Sequence, residues 1–182
     1  MTATRHEPHR ARRRVAVAVV VSVVVLLAAM WFYAFFIADT APGDRLHDGA
    51  WAAQAEATCR PFRAQIDALA PARSFATIEP RTAALAQRAA VVDQATDVLA
   101  QMVADLRRSQ PANDDDRLLV VAWLADYDSY LSSRRSQTAA WRRGEDPRFS
   151  VAQVGGQPID SRMDQLADDN AMRSCMTPGD LA

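Results

Sequence analysis

A continuous uncharged segment near the N-terminus constrains this chain more than any other feature. Residues 15–38 form a run of 24 residues dominated by Val, Ala, Leu and Phe. As a helix this run would be about 36 Å long, which is enough to cross a hydrocarbon core of about 30 Å. The buried helices of soluble proteins rarely stay so apolar over such a length. We therefore predict a transmembrane helix over residues 15–38.

The charges that flank the apolar run predict its orientation. Residues 1–14 carry five Arg against one Glu, whereas residues 39–48 carry three Asp against one Arg. An excess of Arg marks the cytoplasmic side of a membrane span. We therefore predict a single-pass plasma-membrane protein with a basic cytoplasmic tail at 1–14, a short tether at 39–45 and an extracytoplasmic domain at 46–182.

A cleavable signal peptide is the alternative interpretation of the same run. Cleavage requires small residues at the −3 and −1 positions before the cut. The best local match ends at Ala41, but it places Asp39 at −3 and Pro42 directly after the cut. The run is also longer than the apolar core of an ordinary signal peptide. We favour a retained anchor for these reasons.

The part of the chain after the run is mildly acidic and has the periodicity of helices. Residues 39–182 hold 16 Arg against 21 acidic residues, a formal charge of −5. Leu85, Val92, Leu99 and Leu106 recur every seven residues, as in the contact face of a helical bundle. We predict an all-α fold in which an antiparallel bundle of about four helices follows the anchor. These helices are placed at residues 46–69, 80–108, 114–141 and 160–173.

Local signals set several boundaries of the predicted helices. Asn113 can cap the third helix, and the acidic residues 114–116 suit its first turn, where the helix dipole favours anions. Pro61 lacks an amide donor, so we expect the first helix to kink or break after Cys59.

The two cysteines, Cys59 and Cys175, both lie in the part predicted to be exported. In an oxidising compartment, an even pair of cysteines is most simply one disulfide. The spacing contains no CxxC redox motif. We therefore predict a structural disulfide between the end of the first helix and the C-terminal segment.

The chain offers few groups for catalysis. The histidines are His6, His9 and His47, so the predicted exported domain has one His and no Lys. A Ser-His-Asp triad would depend on His47, and a Ser-Lys dyad is excluded. Asp126 and Asp128 splay apart on a helix, so we expect exposed charges instead of a catalytic carboxylate pair. We predict a non-enzymatic protein without cofactor or metal, and an envelope hydrolase is the least favoured alternative.

Five Arg residues surround the end of the third predicted helix: Arg134, Arg135, Arg142, Arg143 and Arg148. Two interpretations of this group remain open. The cations contact acidic envelope polymers or anionic lipid headgroups, or they complement the C-terminal end of the helix dipole, which we favour. Aromatic residues do not interleave with these cations, so we expect no nucleic-acid partner.

Two short segments carry a resemblance to a known group of proteins. They are the tail at 165–180, which contains Asn-Ala-Met-Arg-Ser-Cys-Met-Thr-Pro-Gly-Asp, and the segment at 51–59 that follows the single span. Together they resemble uncharacterised single-pass membrane proteins of actinobacteria. The resemblance implies a helical exported domain in an envelope of the Gram-positive type. It assigns no catalytic or binding residue.

These features predict an accessory or scaffolding protein that is anchored in the lipid bilayer and docks on another membrane or envelope protein. The loop at 144–158 is the candidate contact segment, because it places apolar side chains outside the predicted helices. Its apolar residues alternate as in a short strand or hairpin. The candidate contact residues are Arg148, Phe149, Val151 and Val154.

The alternative function is an extracytoplasmic receptor domain that binds a small molecule or an envelope polymer. It would use a pocket between helices with Arg residues at its mouth. The aromatic residues predicted to line this pocket are Trp123, Tyr127 and Tyr130.

Overall fold

The protein is mostly helical and divides into two compact units, Met1–Ala41 and Pro42–Ala182. The computed structural model describes residues 8–36, 44–69, 75 and 78–181. Helix α1 (Pro8–Phe36) belongs to the first unit. The second unit contains, in chain order, α2 (Gly49–Asp67), α3 (Arg81–Leu106), α4 (Asp114–Arg142), β1 (Gln153–Val154), β2 (Gln157–Pro158), α5 (Ile159–Asp169) and a 3₁₀ turn (Arg173–Cys175).

Helix α1 is the one helix within the described residues that is long and apolar enough to span a membrane. Its apolar part, Val15–Tyr33, covers 19 residues with a mean hydropathy of 2.9. The side chains of this part are exposed. The predicted run continues to residue 38, but residues 37–43 lie outside the described part, and so does most of the predicted tether at 39–45.

The packing of α3 confirms the seven-residue repeat. Leu85, Val92, Leu99 and Leu106 are all buried. The most extensive helix contact in the second unit is between α3 and α4, while α2 packs against α3 and α5 packs against α4. The helical periodicity therefore identified the buried face of α3 correctly.

Two apolar clusters form the core of the second unit. The larger cluster lies among α2, α3, α4 and α5 and includes Trp51, Leu99 and Tyr127. Burying one large apolar side chain contributes about 1.5–3 kcal/mol, so these clusters fix how the helices pack. The smaller cluster lies between the first half of α3 and the end of α4, and its members are Leu85, Ala89, Val92, Trp141 and Leu181.

The predicted disulfide is confirmed. Cys59 of α2 is bonded to Cys175 of the 3₁₀ turn, and both residues are fully buried. The Tyr127 hydroxyl donates a hydrogen bond to the backbone carbonyl of Cys175. Burial raises the pKa of Tyr127 far above its ordinary value, so this phenol stays protonated and remains a donor.

Further hydrogen bonds hold the C-terminal segment, which we define as residues 173–181. Ser174 donates to the Glu56 carboxylate through its amide (2.8 Å) and its hydroxyl (2.6 Å). Thr177 donates to Asp164 in the same way, at 2.6 and 2.9 Å. The C-terminal segment is therefore anchored on both α2 and α5.

Two boundary predictions need correction. Helix α2 does not break after Cys59 but continues through Pro61 to Asp67. Pro61 is exposed, and buried side chains on both sides of it, Cys59 and Ile66, hold the helix against the core. The last helix, α5, ends at Asp169 and not at 173, because Ala171 adopts a left-handed backbone with φ of 57°.

Candidate docking surface

Helix α4 exposes an apolar stripe over its first half. Leu118 is 71% exposed and Val121 is 53% exposed. Ala122 and Ala125 are exposed as well. The spacing i, i+3, i+4 and i+7 places these four residues on one face of the helix. We call them the α4 stripe.

An open groove of about 90 Å³ adjoins the α4 stripe. Ala122 belongs to both, so the stripe and the groove form one continuous surface, which we call the docking surface. The groove is built from α4, α5 and the segment before α2, and its lining residues are Asp44, Leu119, Ala122, Trp123, Asp126, Arg162 and Leu166.

Two polar contacts fix the walls of the groove. The indole N–H of Trp123 donates to the Met163 carbonyl at 3.1 Å, which ties α4 to α5. Nε of Arg162 donates to the Asp126 carboxylate at 3.0 Å. Asp126 was expected to be exposed, but it is only 8% exposed, because α5 packs over it and supplies the matching cation. The groove is therefore preformed.

The N-terminal end of α4 is joined to the segment that precedes α2. Asn113 caps α4 as predicted, accepting hydrogen bonds from the amides of residues 115 and 116. Asp116 is fully buried and accepts hydrogen bonds from the amides of His47 (3.0 Å) and Asp48 (2.7 Å). Nδ1 of His47 also lies 3.0 Å from Asp116. We call this contact the Asp116 latch, and it holds the start of the docking surface in place.

The Asp116 latch predicts a dependence of stability on acid pH. Burial alone would raise the pKa of Asp116, but the hydrogen bonds from His47 and Asp48 outweigh burial and lower it below 3.8. A lowered pKa in the folded state stabilises the protein above pH 3.8, and this stabilisation is lost as the pH falls through the folded-state pKa. We expect Asp116→Asn to unfold at lower urea concentration than the wild type at pH 7.

The control for this prediction is the same pair of urea titrations at pH 3. The stability difference between wild type and Asp116→Asn should be smaller there, because at pH 3 the carboxyl of Asp116 in the unfolded wild-type chain, with its ordinary pKa of 3.8, is mostly protonated. An equal difference at both pH values would show that the charge of Asp116 does not stabilise the latch.

The aromatic residues predicted to line a pocket have different surroundings. Only Trp123 lines the groove. Tyr127 and Tyr130 lie in the core, where they are 0% and 2% exposed. Trp123 packs edge-on against Tyr127, with ring centroids 5.1 Å apart. These three residues therefore belong to the core, and Trp123 also lines the groove.

The loop at 144–158 contains the predicted hairpin, which includes Val154 but neither Phe149 nor Val151. The paired residues are Gln153–Val154 and Gln157–Pro158. Phe149 packs against both core clusters, and Val151 packs against the larger one. Two of the four candidate contact residues are exposed, Arg148 and Val154.

Phe149 is expected to contribute to stability whether or not it contacts a partner. Its ring meets Tyr130 edge-on, with centroids 6.2 Å apart. We expect Phe149→Ala to lower the free energy of unfolding by about 2 kcal/mol, since the side chain is partly buried. The matched variant Arg148→Ala should change it by less than about 0.5 kcal/mol. Urea titration of both variants tests this, and equal stabilities would contradict the anchoring role of Phe149.

Arg134 is the exception within the predicted Arg group, because it is fully buried. Its guanidinium forms a bidentate ion pair with Asp180, at 2.7 and 2.6 Å. Nε of Arg134 also donates to the Thr96 hydroxyl at 2.8 Å. Burial opposes the charged form, but the contacts with Asp180 raise the pKa of Arg134 overall. This buried cation holds the C-terminal segment in place. Its guanidinium is not accessible to envelope polymers or lipid headgroups.

The other four Arg residues of the group are exposed. Arg142 pairs with Asp93 of α3, and Arg143 pairs with Glu145 at 2.8 Å. These ion pairs therefore neutralise part of the positive charge that could have contacted acidic envelope polymers. Among the described carboxylates, none pairs with the remaining two, Arg135 and Arg148.

Comparisons with known proteins yield no relative for this chain. No protein-family model matches it, and no curated protein and no solved structure is significantly similar to it. Over the ranges that the structure describes, no three His, Cys, Asp or Glu side chains converge as a metal site would need. Function is therefore inferred from the contacts and charges of the chain itself.

Proposed function

We propose that this protein is a non-enzymatic accessory or scaffolding protein of the plasma membrane. Its N-terminus is cytoplasmic, α1 spans the bilayer once, and the second unit docks outside the cytoplasm on another membrane or envelope protein. The observation that carries this proposal is the α4 stripe, where Leu118 and Val121 are exposed on a helix whose other faces are packed.

The chemistry of the α4 stripe supports a protein partner. An exposed apolar patch with a polar rim is typical of an interaction site. The stripe lies beside a groove, and helices that bind partners commonly do so through residues at i, i+3, i+4 and i+7. Ion pairs within the protein account for three charged residues of α4, namely Asp126, Asp128 and Arg134.

The size of the groove favours a protein partner over a small-molecule ligand. Pockets for small molecules usually enclose about 300–1,000 Å³. The groove measures about 90 Å³, which suits a single inserted side chain. A receptor function in this groove is therefore the weaker candidate.

The short predicted tether supports a docking surface close to the bilayer. Asp44 lines the groove and follows the predicted span at 15–38 by six residues. Those residues can bridge at most about 20 Å. The partner therefore presents its contact segment close to the membrane.

The proposal is tested by site-specific photo-crosslinking in native membranes. A photoreactive residue replaces Val121 of the full-length protein, and adducts are identified by mass spectrometry. The matched control carries the same residue at Gln101, which is exposed on α3 away from the stripe. We expect one protein adduct at a defined ratio from position 121 and none from position 101.

A variant of the α4 stripe tests whether the adduct at position 121 reflects docking through the stripe. Leu118→Asp places a charge in the exposed stripe without disturbing a buried side chain. It should lower adduct formation from position 121 by about tenfold or more, as expected for the centre of an interface. Equal adducts from positions 121 and 101, or an adduct that survives Leu118→Asp unchanged, would refute docking through this surface.

A further inference from the structure

We infer that the occupant of the docking surface is a cationic amphipathic helix of the partner protein. This inference rests on the proposed docking function and specifies the chemistry of the partner. The inference follows from the charged side chains near the docking surface that form no ion pair within the protein. It also follows from the length of the α4 stripe.

Three cations around the docking surface are already paired within the protein. Arg162 is bound to Asp126 in the groove wall. On the helix surface, Arg117 pairs with Asp114 at 2.6 Å. On the side facing α3, Arg107 pairs with Asp128, also at 2.6 Å. These three guanidinium groups therefore leave no net positive charge for a partner.

Two carboxylates at or beside the docking surface form no ion pair with a residue in the described part of the chain. Asp44 lines the groove, and Asp115 lies one turn before Leu118 and Leu119 on the helix surface. Arg45, which follows Asp44, is exposed and forms no ion pair with the described residues either. Two carboxylates against one guanidinium leave a net negative charge at the end where α4 begins.

This charge decides between three possible occupants. An anionic lipid surface would be repelled by Asp44 and Asp115. A second copy of this chain, related by a twofold axis, would bring the same acidic surface against itself. A partner that carries Lys or Arg beside its apolar residues satisfies both the α4 stripe and the two carboxylates.

The length of the α4 stripe is the argument for a helical partner segment. The α4 stripe covers seven residue steps, or about 10 Å along the helix axis. A partner helix can lay apolar residues at i, i+3 or i+4 and i+7 along this length, and one large apolar side chain enters the groove. A Lys or Arg on the same face of that helix then pairs with Asp44 or with Asp115.

The test uses full-length protein in native membranes with the photoreactive residue at position 121. Asp44→Asn and Asp115→Asn remove the two unpaired charges with little change of shape. Asp97→Asn is the matched control, because Asp97 is an exposed carboxylate of α3 away from the stripe. Crosslinking is measured for each variant in 50 mM and 500 mM salt, and the crosslinked peptide is sequenced by mass spectrometry.

We expect each of the two substitutions to lower crosslinking by about two- to fivefold in 50 mM salt, as for the loss of an exposed ion pair. The effect should shrink in 500 mM salt, where such pairs are screened. Asp97→Asn should leave crosslinking unchanged. The crosslinked peptide should belong to another protein and carry Lys or Arg within one turn of an apolar helical stripe.

The remaining outcomes separate this inference from the proposed function. If Leu118→Asp abolishes crosslinking but Asp44→Asn, Asp115→Asn and salt have no effect, docking stands and the cationic partner is refuted. A crosslinked peptide from this same chain, or a lipid adduct, also refutes the cationic partner. Crosslinking that no variant alters refutes both proposals.

Discussion

Replacing Cys59 and Cys175 together with alanine is expected to lower the free energy of unfolding by about 4–5 kcal/mol in the chain-entropy description of a disulfide. The bond closes a loop with a sequence separation of 116 residues, so its loss releases much conformational freedom in the unfolded chain. Native domains are stable by only about 5–15 kcal/mol, so this loss is a large part of the total. Urea titration of the full-length protein in mild detergent measures it.

Tryptophan fluorescence is a suitable signal, because Trp51, Trp123 and Trp141 are all nearly buried. The control is wild-type protein titrated with a thiol reductant, which should approach the stability of the double variant once the bond is reduced. A double variant as stable as the oxidised wild type would show that the packing of the C-terminal segment does not depend on the covalent link.

Asp180→Ala is expected to lower the free energy of unfolding by about 3–5 kcal/mol, the usual cost of leaving a buried charge unpaired. Arg134 is fully buried and relies on Asp180 for its bidentate ion pair. Without Asp180, the guanidinium keeps its charge in an apolar environment next to the smaller core cluster. The same urea titration measures the loss.

The matched control for Asp180→Ala is the double variant Arg134→Met with Asp180→Ala. Removing both charges leaves an apolar side chain in place of an unpaired ion, so the double variant should be more stable than Asp180→Ala by about 2 kcal/mol. If the double variant were the less stable of the two, the destabilisation by Asp180→Ala would come from lost packing and not from an unpaired charge.

Features governed by local periodicity could be predicted from the sequence. The seven-residue spacing from Leu85 to Leu106 identified the buried face of α3, and Asn113 marked the start of α4. The pairing of Cys59 with Cys175 followed from there being only two cysteines. The repeat and the cap can each be recognised within a single helix. The disulfide can be predicted from the number of cysteines.

Ion pairs between distant elements could not be predicted in this way. Asp126 is buried against Arg162 of α5, and Arg134 is buried against Asp180 of the C-terminal segment. In each pair the opposite charge makes burial possible. A charged residue on a helix is normally solvated, and the sequence alone does not show which distant residue of opposite charge will face it. Asp116 was assigned correctly to the first turn of α4, but its contact with His47 depends on how α2 approaches.

The exposed apolar stripe of α4 was not predicted, although the sequence contains a signal for it. The prediction for α4 considered only the residues that face the core, such as Trp123 and Tyr127. Leu118 and Val121 widen the apolar arc of the first half of α4 beyond what packing against neighbouring helices requires. An apolar arc of that width on a helix supports the proposed docking through α4, while the loop at 144–158 stays a predicted contact segment.

The bond between α2 and the C-terminal segment also has a consequence for how the protein is made. Cys175 is translated 116 residues after Cys59, a delay of about 6–23 s at 5–20 residues per second. During that time α2 lacks its covalent partner and the C-terminal residues that pack on it. The second unit therefore completes its packing only after the C-terminal segment has been made, and truncation of the chain before residue 173 removes the residues that hold α2 from that side.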